Sequence, residues 1–125
     1  MITTFKTFDN WESILQDKAA STYRNYEVYS KKELYNLTKK ILKEIEISHI
    51  DFSVAVEIVS RYIQDYTDDW KYDVIDSINS GLSENDILIN IIKEYDFELY
   101  DITKEEIQEY IEKEIKQAKI NKFNL

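Results

Sequence analysis

The side chains with the most capacity for chemistry in this sequence are carboxylates at short spacing. Asp68-Asp69 with Asp73, the Asp73-x-x-Asp76 pair, and the run Glu105-Glu106-x-x-Glu109 each set two or three acids close together. Such sets can hold a divalent cation. Magnesium needs only one or two protein carboxylates once phosphate oxygens complete its shell, so the chemistry on offer is metal-assisted hydrolysis of a nucleotide or phosphoester. The same small requirement makes chance matches common. A calcium loop fits less well than a magnesium site, because no segment alternates oxygen ligands around a central glycine, and Gly81 is the sole glycine. His49, the single histidine, lies beside Ser48 and Asp51 without any nucleophile motif around it. A base without an oriented nucleophile builds no triad, so a capping or partly buried structural role is expected there. The absence of cysteine removes disulfides, thiolate metal sites and a cysteine nucleophile.

Two enzyme families share fragments of these patterns. Glu105-Glu106-x-x-Glu109 resembles the paired-carboxylate motif of all-α nucleotide pyrophosphohydrolases, in which a Glu-x-x-Asp pair follows. Here Asp73-x-x-Asp76 precedes it, which reverses the order. Asp68-Asp69 with Asp73 is similar to the Asp-Asp-x-x-Asp of isoprenoid synthases, but is one residue longer and sits in a chain of only 125 residues. A magnesium-dependent hydrolase is therefore the alternative reading. The leading one has no catalytic residue, no metal and no cofactor. A helix-turn-helix is suggested by Val74 to Ser83 with Ile87 and Leu88 beyond, but its DNA-facing positions would be Ser83, Glu84, Asn85 and Asp86. Carboxylates there would oppose a phosphate backbone, so direct nucleic-acid binding is rejected and the helix hairpin is kept as architecture.

The acids are better understood as a field. Residues 1–50 hold eight Lys/Arg against seven Asp/Glu, residues 51–112 four against seventeen, and residues 113–125 four against one, for a net charge of −9. A body this negative repels nucleic acid and speeds association with basic proteins. Its densest part is Asp65 to Asp73, where four carboxylates and the aromatics Tyr66, Trp70 and Tyr72 surround one cation, Lys71. Asp65, Asp68, Asp69, Trp70, Tyr72, Asp73 and Asp76 are the expected partner-contact residues. Acids would pair with a partner's Arg/Lys, and Trp70 or Tyr72 would fill a pocket, as aromatic hot spots do. The bland counterpart is a solvated charged face.

These residues must be positioned by helices. With no proline and one glycine, the chain has few of the residues that punctuate turns. Its length suits a single mainly helical domain over 1–125, a bundle of five or six helices. Residues 1–8 tolerate a short strand that could pair with Tyr23 to Tyr29 as a hairpin. Asp9 and Glu12 have capping-box spacing for a helix from about Asn10 to Ala20. Ser30-x-x-Glu33 opens a helix whose stripe is Leu34, Leu37, Thr38, Ile41, Leu42 and Ile45. From Asp51 an apolar period runs through Val59 to Tyr66. Thr67 then caps a helix from Asp68 to about Asn79, closed by Gly81. An unbroken helix would instead align Asp65, Asp69, Asp73 and Asp76. Ser83 opens a helix with Ile87, Ile91 and Tyr95 inward, and Thr103-x-x-Glu106 opens the last, with fraying expected from Lys119 onward. The lysines at 113, 116, 119 and 122 complement that helix's dipole.

Size, acidity, helicity and the Ile/Lys/Asn/Glu/Tyr-rich, AT-type codon usage together resemble the small acidic anti-defence proteins of phages and mobile elements, such as anti-CRISPR and anti-restriction proteins. The likeness spans the whole chain, rests on no motif, and transfers no individual residue. It implies an inhibitor in the cytoplasm of a bacterial host whose acidic face occupies the groove of a nuclease or CRISPR effector. Without a signal segment or an apolar run of membrane length, no membrane partner is expected. A structural adaptor or oligomerisation domain is the remaining alternative.

Overall fold

The computed structural model describes residues 10–123. Among them the chain is mainly α-helical, in the order α1 (Trp11–Thr22), β1 (Glu27–Val28), α2 (Lys31–Glu44), α3 (Phe52–Ser60), β2 (Gln64–Asp65), α4 (Asp69–Asn79), α5 (Glu84–Glu94), α6 (Phe97–Tyr100) and α7 (Lys104–Phe123). No helix among the described residues is long and apolar enough to cross a membrane. The chain divides into two compact units, residues 1–66 and 67–125.

In the first unit, α2 is the element its sequence specifies best. The Ser30 hydroxyl accepts from Glu33 N–H at 3.1 Å, and the Glu33 carboxylate accepts from Tyr29 N–H at 3.0 Å. Leu34, Leu37, Thr38, Ile41 and Leu42 are all buried on one stripe, meeting Leu15 of α1 and Ala55, Ile58 and Val59 of α3. Buried Thr38 satisfies its hydroxyl by donating to the Leu34 carbonyl at 2.8 Å. Helix α1 starts at Trp11 with Asn10 as its cap residue, and Asn10 makes no side-chain cap bond.

The helix expected from Asp51 to Tyr66 stops at Ser60. Arg61 and Tyr62 N–H groups donate back only three residues, to Ile58 and Val59, which tightens and ends the helix. Beyond them a non-local partner wins. Tyr62 C=O accepts from Asn25 N–H at 2.8 Å, Gln64 N–H donates to Tyr26 C=O at 2.8 Å, and Tyr66 N–H to Val28 C=O at 2.7 Å. The result is a parallel β1–β2 pair, Glu27 opposite Gln64 and Val28 opposite Asp65. The hairpin expected between residues 1–8 and 23–29 has its first segment outside the described residues. Tyr29 and Tyr66 stack beside the β1–β2 pair, centroids 4.9 Å apart.

The second unit packs Trp70 and Val74 of α4 against Ile87 and Ile91 of α5 and Ile107 and Ile111 of α7. Gly81 (φ 83°) lets its own N–H reach Ile78 C=O at 3.0 Å and Leu82 N–H reach Ser77 C=O at 3.2 Å. Those two bonds close α4 in a left-handed cap that a β-carbon would strain. Ser83 and Thr103 hydroxyls accept from Asp86 and Glu106 N–H groups, so both expected caps form. Two features of this unit differ from expectation. The cap residue of α4 is Asp68 rather than Thr67, without a side-chain cap bond. The short α6 is an additional helix, which makes seven helices among the described residues rather than five or six. Asp96 caps it by accepting from Glu98 and Leu99 N–H groups, and Asp101 (φ 53°) ends it. The last helix runs through Lys119 to Phe123, and the final two residues of the tail expected to fray lie outside the described residues. His49 is exposed with left-handed backbone (φ 61°), neither capping a helix nor buried.

Tyr23 in the first unit and Tyr95 in the second are the tyrosines that most resist ionisation. In the first, the Tyr23 hydroxyl donates to Glu44, and this bond, reinforced by burial, pushes its pKa up from 10.0 to about 12. In the second, Tyr95 is held higher still, by burial first and then by its hydrogen bond to Asp73. A folded-state pKa above the unfolded value gives stability that is whole below pH about 10 and is lost as pH rises through the folded value. Phenolate absorbance during an alkaline titration should therefore show a late-ionising fraction from Tyr23 and Tyr95, which falls back to the ordinary value of 10.0 once the chain is unfolded in denaturant. Normal titration of all ten in the native protein would contradict these environments.

Candidate functional site

Helix α4 carries the acids that the sequence singles out. At about 100° per residue, Asp69, Tyr72, Asp73 and Asp76 fall at i, i+3, i+4 and i+7, one outward stripe. The opposite stripe is Trp70, Val74 and Ile78, which faces the core. Tyr72 is 71% exposed, the largest exposure of any large hydrophobic side chain among the described residues, and stands between the carboxylates. Trp70 corrects its expected role, because it is only 3% exposed and packs in the core rather than on the outward acidic stripe.

Two further tyrosines border the stripe. On one side the Tyr95 hydroxyl of α5 donates to the Asp73 carboxylate, and Tyr100 packs edge-on against Tyr95, centroids 5.0 Å apart. Asp73 is thus half-buried and already engaged, which orients it. Tyr95→Phe is expected to cost about 1.5 kcal/mol, the scale of a hydrogen bond to a charged group. Chemical denaturation should show a lower midpoint at unchanged slope, and an unchanged midpoint would count against the bond.

On the other side, Lys71 and Trp70 of α4 form an open cleft of about 290 Å³ with Glu106, Glu109, Tyr110 and Lys113 of α7. Trp70 and Tyr110 meet edge-to-face, centroids 5.3 Å apart. The Lys71 ammonium lies 5.7 Å from the Trp70 ring centre, 5.5 Å from that of Tyr110, and 3.4 Å from Asp68 Oδ1. Burial, then Glu114 and Asp68, raise the Tyr110 pKa, so the surroundings favour cations and disfavour a phenolate.

The expected contact residues thus separate into three groups. Asp69, Tyr72, Asp73 and Asp76 share the α4 stripe. Asp68, at the helix start, pairs with Lys71. Asp65 is on β2, in the first unit. Lys71, Tyr95 and Tyr110 were not among the expected site residues, and only Lys71 had a visible signal, as the lone cation in an acidic stretch. Of the Glu105-Glu106-x-x-Glu109 run, only Glu106 and Glu109 line the cleft. Among the described residues no three histidine, aspartate or glutamate side chains converge as a metal ligand set. The charge divides with the fold: residues 67–125 hold seven lysines against fifteen carboxylates, net −8, while residues 1–66 are nearly balanced at −1.

No family model matches the sequence, and searches of curated proteins and of solved structures give no match.

Proposed function

We propose that this is a non-enzymatic binding protein whose second unit docks its acidic α4 face on a basic, nucleic-acid-handling protein. The observation that carries the reading is Tyr72, a large side chain held out in solvent between Asp69, Asp73 and Asp76. An aromatic ring rimmed by carboxylates suits a partner that offers an apolar pocket among arginines and lysines. The helix rise of about 1.5 Å per residue places the three carboxylates over about 10 Å, roughly one per 5 Å. One nucleic-acid strand offers a charge every ~3.4 Å, so the stripe alone imitates a phosphate row only in part. The remaining acids of the second unit supply the wider field that steers a basic groove toward it. The partner class that fits is a nuclease or CRISPR effector of a bacterial cytoplasm, blocked by competition for its phosphate-binding side chains.

Affinity capture from a low-GC bacterial lysate tests this, with the wild type and an Asp69→Asn/Tyr72→Ala/Asp76→Asn variant as paired baits. Asp73 is left intact because it anchors Tyr95. The expected result is a nucleic-acid-handling protein retained by the wild type, lost from the variant, and released by salt. Equal retention by both baits would overturn the proposal.

A further inference from the structure

The cleft beside the acidic stripe combines aromatic rings with carboxylates, and the cation that lies over its rings, Lys71, belongs to the same chain. Two aromatic rings at 73° to one another wall it together with Glu106, Glu109 and Lys113 of α7, and Asp68 pairs with the Lys71 ammonium at 3.4 Å. Among the described residues, neither Glu106 nor Glu109 has an ion-pair partner within 4.0 Å. Lys71 reaches over the aromatic walls with its ammonium shared between two rings and a single carboxylate.

We infer that Lys71 stands in for an arginine of the partner protein, which displaces it and inserts between Tyr110, Asp68, Glu106 and Glu109. The inference rests on the reading of the second unit as a receptor for basic proteins, and it names the side chain recognised. Arginine is the better occupant on physical grounds. Its planar guanidinium stacks on aromatic faces, is less strongly hydrated than an ammonium, and can bond two carboxylates at once. Lys71 holds its place through one exposed ion pair and shared ring contacts, each modest in water, so it is readily displaced. Once displaced, it swings to solvent and uncovers the Trp70 edge. Until then it screens Asp68 and the rings from weaker cations, which favours arginine-bearing partners over merely basic ones.

The test uses the full chain and a hexa-arginine peptide at about 0.05 M salt, where screening extends to ~10 Å or more. Trp11→Phe leaves Trp70 as the only tryptophan, so its emission reports occupancy of the cleft. In that background, Lys71→Ala is compared with Lys93→Ala, which removes the same charge from α5 away from the cleft. The expected result is a saturable change in Trp70 emission, with Lys71→Ala tightening binding about fivefold beyond Lys93→Ala. That gain is the size of one cation–π contact no longer competing. A hexa-lysine peptide should show a smaller separation between the two variants. Equal affinities for Lys71→Ala and Lys93→Ala, or no response of Trp70, would overturn the inference. The α4 stripe would then still stand or fall on its own paired-bait capture, whose variant leaves every residue of the cleft intact.

Discussion

Trp70→Ala is expected to unfold the second unit rather than trim a binding surface. The side chain is 3% exposed and packs with Val74, Ile87, Ile91, Ile107 and Ile111. Truncating a buried tryptophan costs about 3–5 kcal/mol, because the transfer loss and the residual cavity add. A unit of the size of residues 67–125 has roughly 3–9 kcal/mol of stability to lose. The substitution therefore consumes most of that margin, and a large part of the helicity should go with it. Circular dichroism melting would show this, with Tyr72→Ala as the companion variant. Tyr72 is 71% exposed, and such a surface change should stay within about 0.5 kcal/mol. If Trp70→Ala melted like Tyr72→Ala, Trp70 would not be part of the core described above. Lost binding in a Trp70 variant would accordingly say nothing about the interface.

Neutralising the stripe should have the opposite profile, with affinity lost and fold kept. Asp69→Asn and Asp76→Asn each remove a rim charge worth up to about 1 kcal/mol against a partner cation. Tyr72→Ala removes a candidate hot spot worth about 2 kcal/mol. Together they should weaken partner binding by about a hundredfold, with unchanged melting. The salt dependence should also flatten, since fewer charges remain to be screened. Surface plasmon resonance against the captured partner, across a salt series, would read both effects. A variant that keeps wild-type affinity and salt slope would move the interface off α4.

The sequence makes the helices and their starts legible where the determinants are local. Ser30, Ser83 and Thr103 each sit three residues before the N–H they cap, and α2 buries the stripe its period marks. What stays hidden depends on partners far along the chain. Tyr62 to Tyr66 continue a helical period, yet their backbone is claimed by Asn25, Tyr26 and Val28. Asp73 reads as one more surface acid, and its engagement comes from Tyr95, 22 residues away. Trp70 is the instructive case. Its acidic neighbours suggest a surface, but Val74 and Ile78 follow it at i+4 and i+8, and the helical period outweighs the company it keeps. Local composition describes the solvent side of a helix, while periodicity decides which residue turns away from it.

The parallel ladder also constrains the order in which the first unit can assemble. Pairing Glu27 with Gln64 closes a loop spanning 37 positions, an entropic cost of roughly 3 kcal/mol before constant terms. Three backbone hydrogen bonds at about 1 kcal/mol each barely offset it. The strands therefore cannot nucleate anything, and must wait until α2 and α3 have docked and brought their ends together. Hydrogen exchange at Gln64 and Tyr66 would accordingly report late closure and first opening, a latch on the unit rather than its frame.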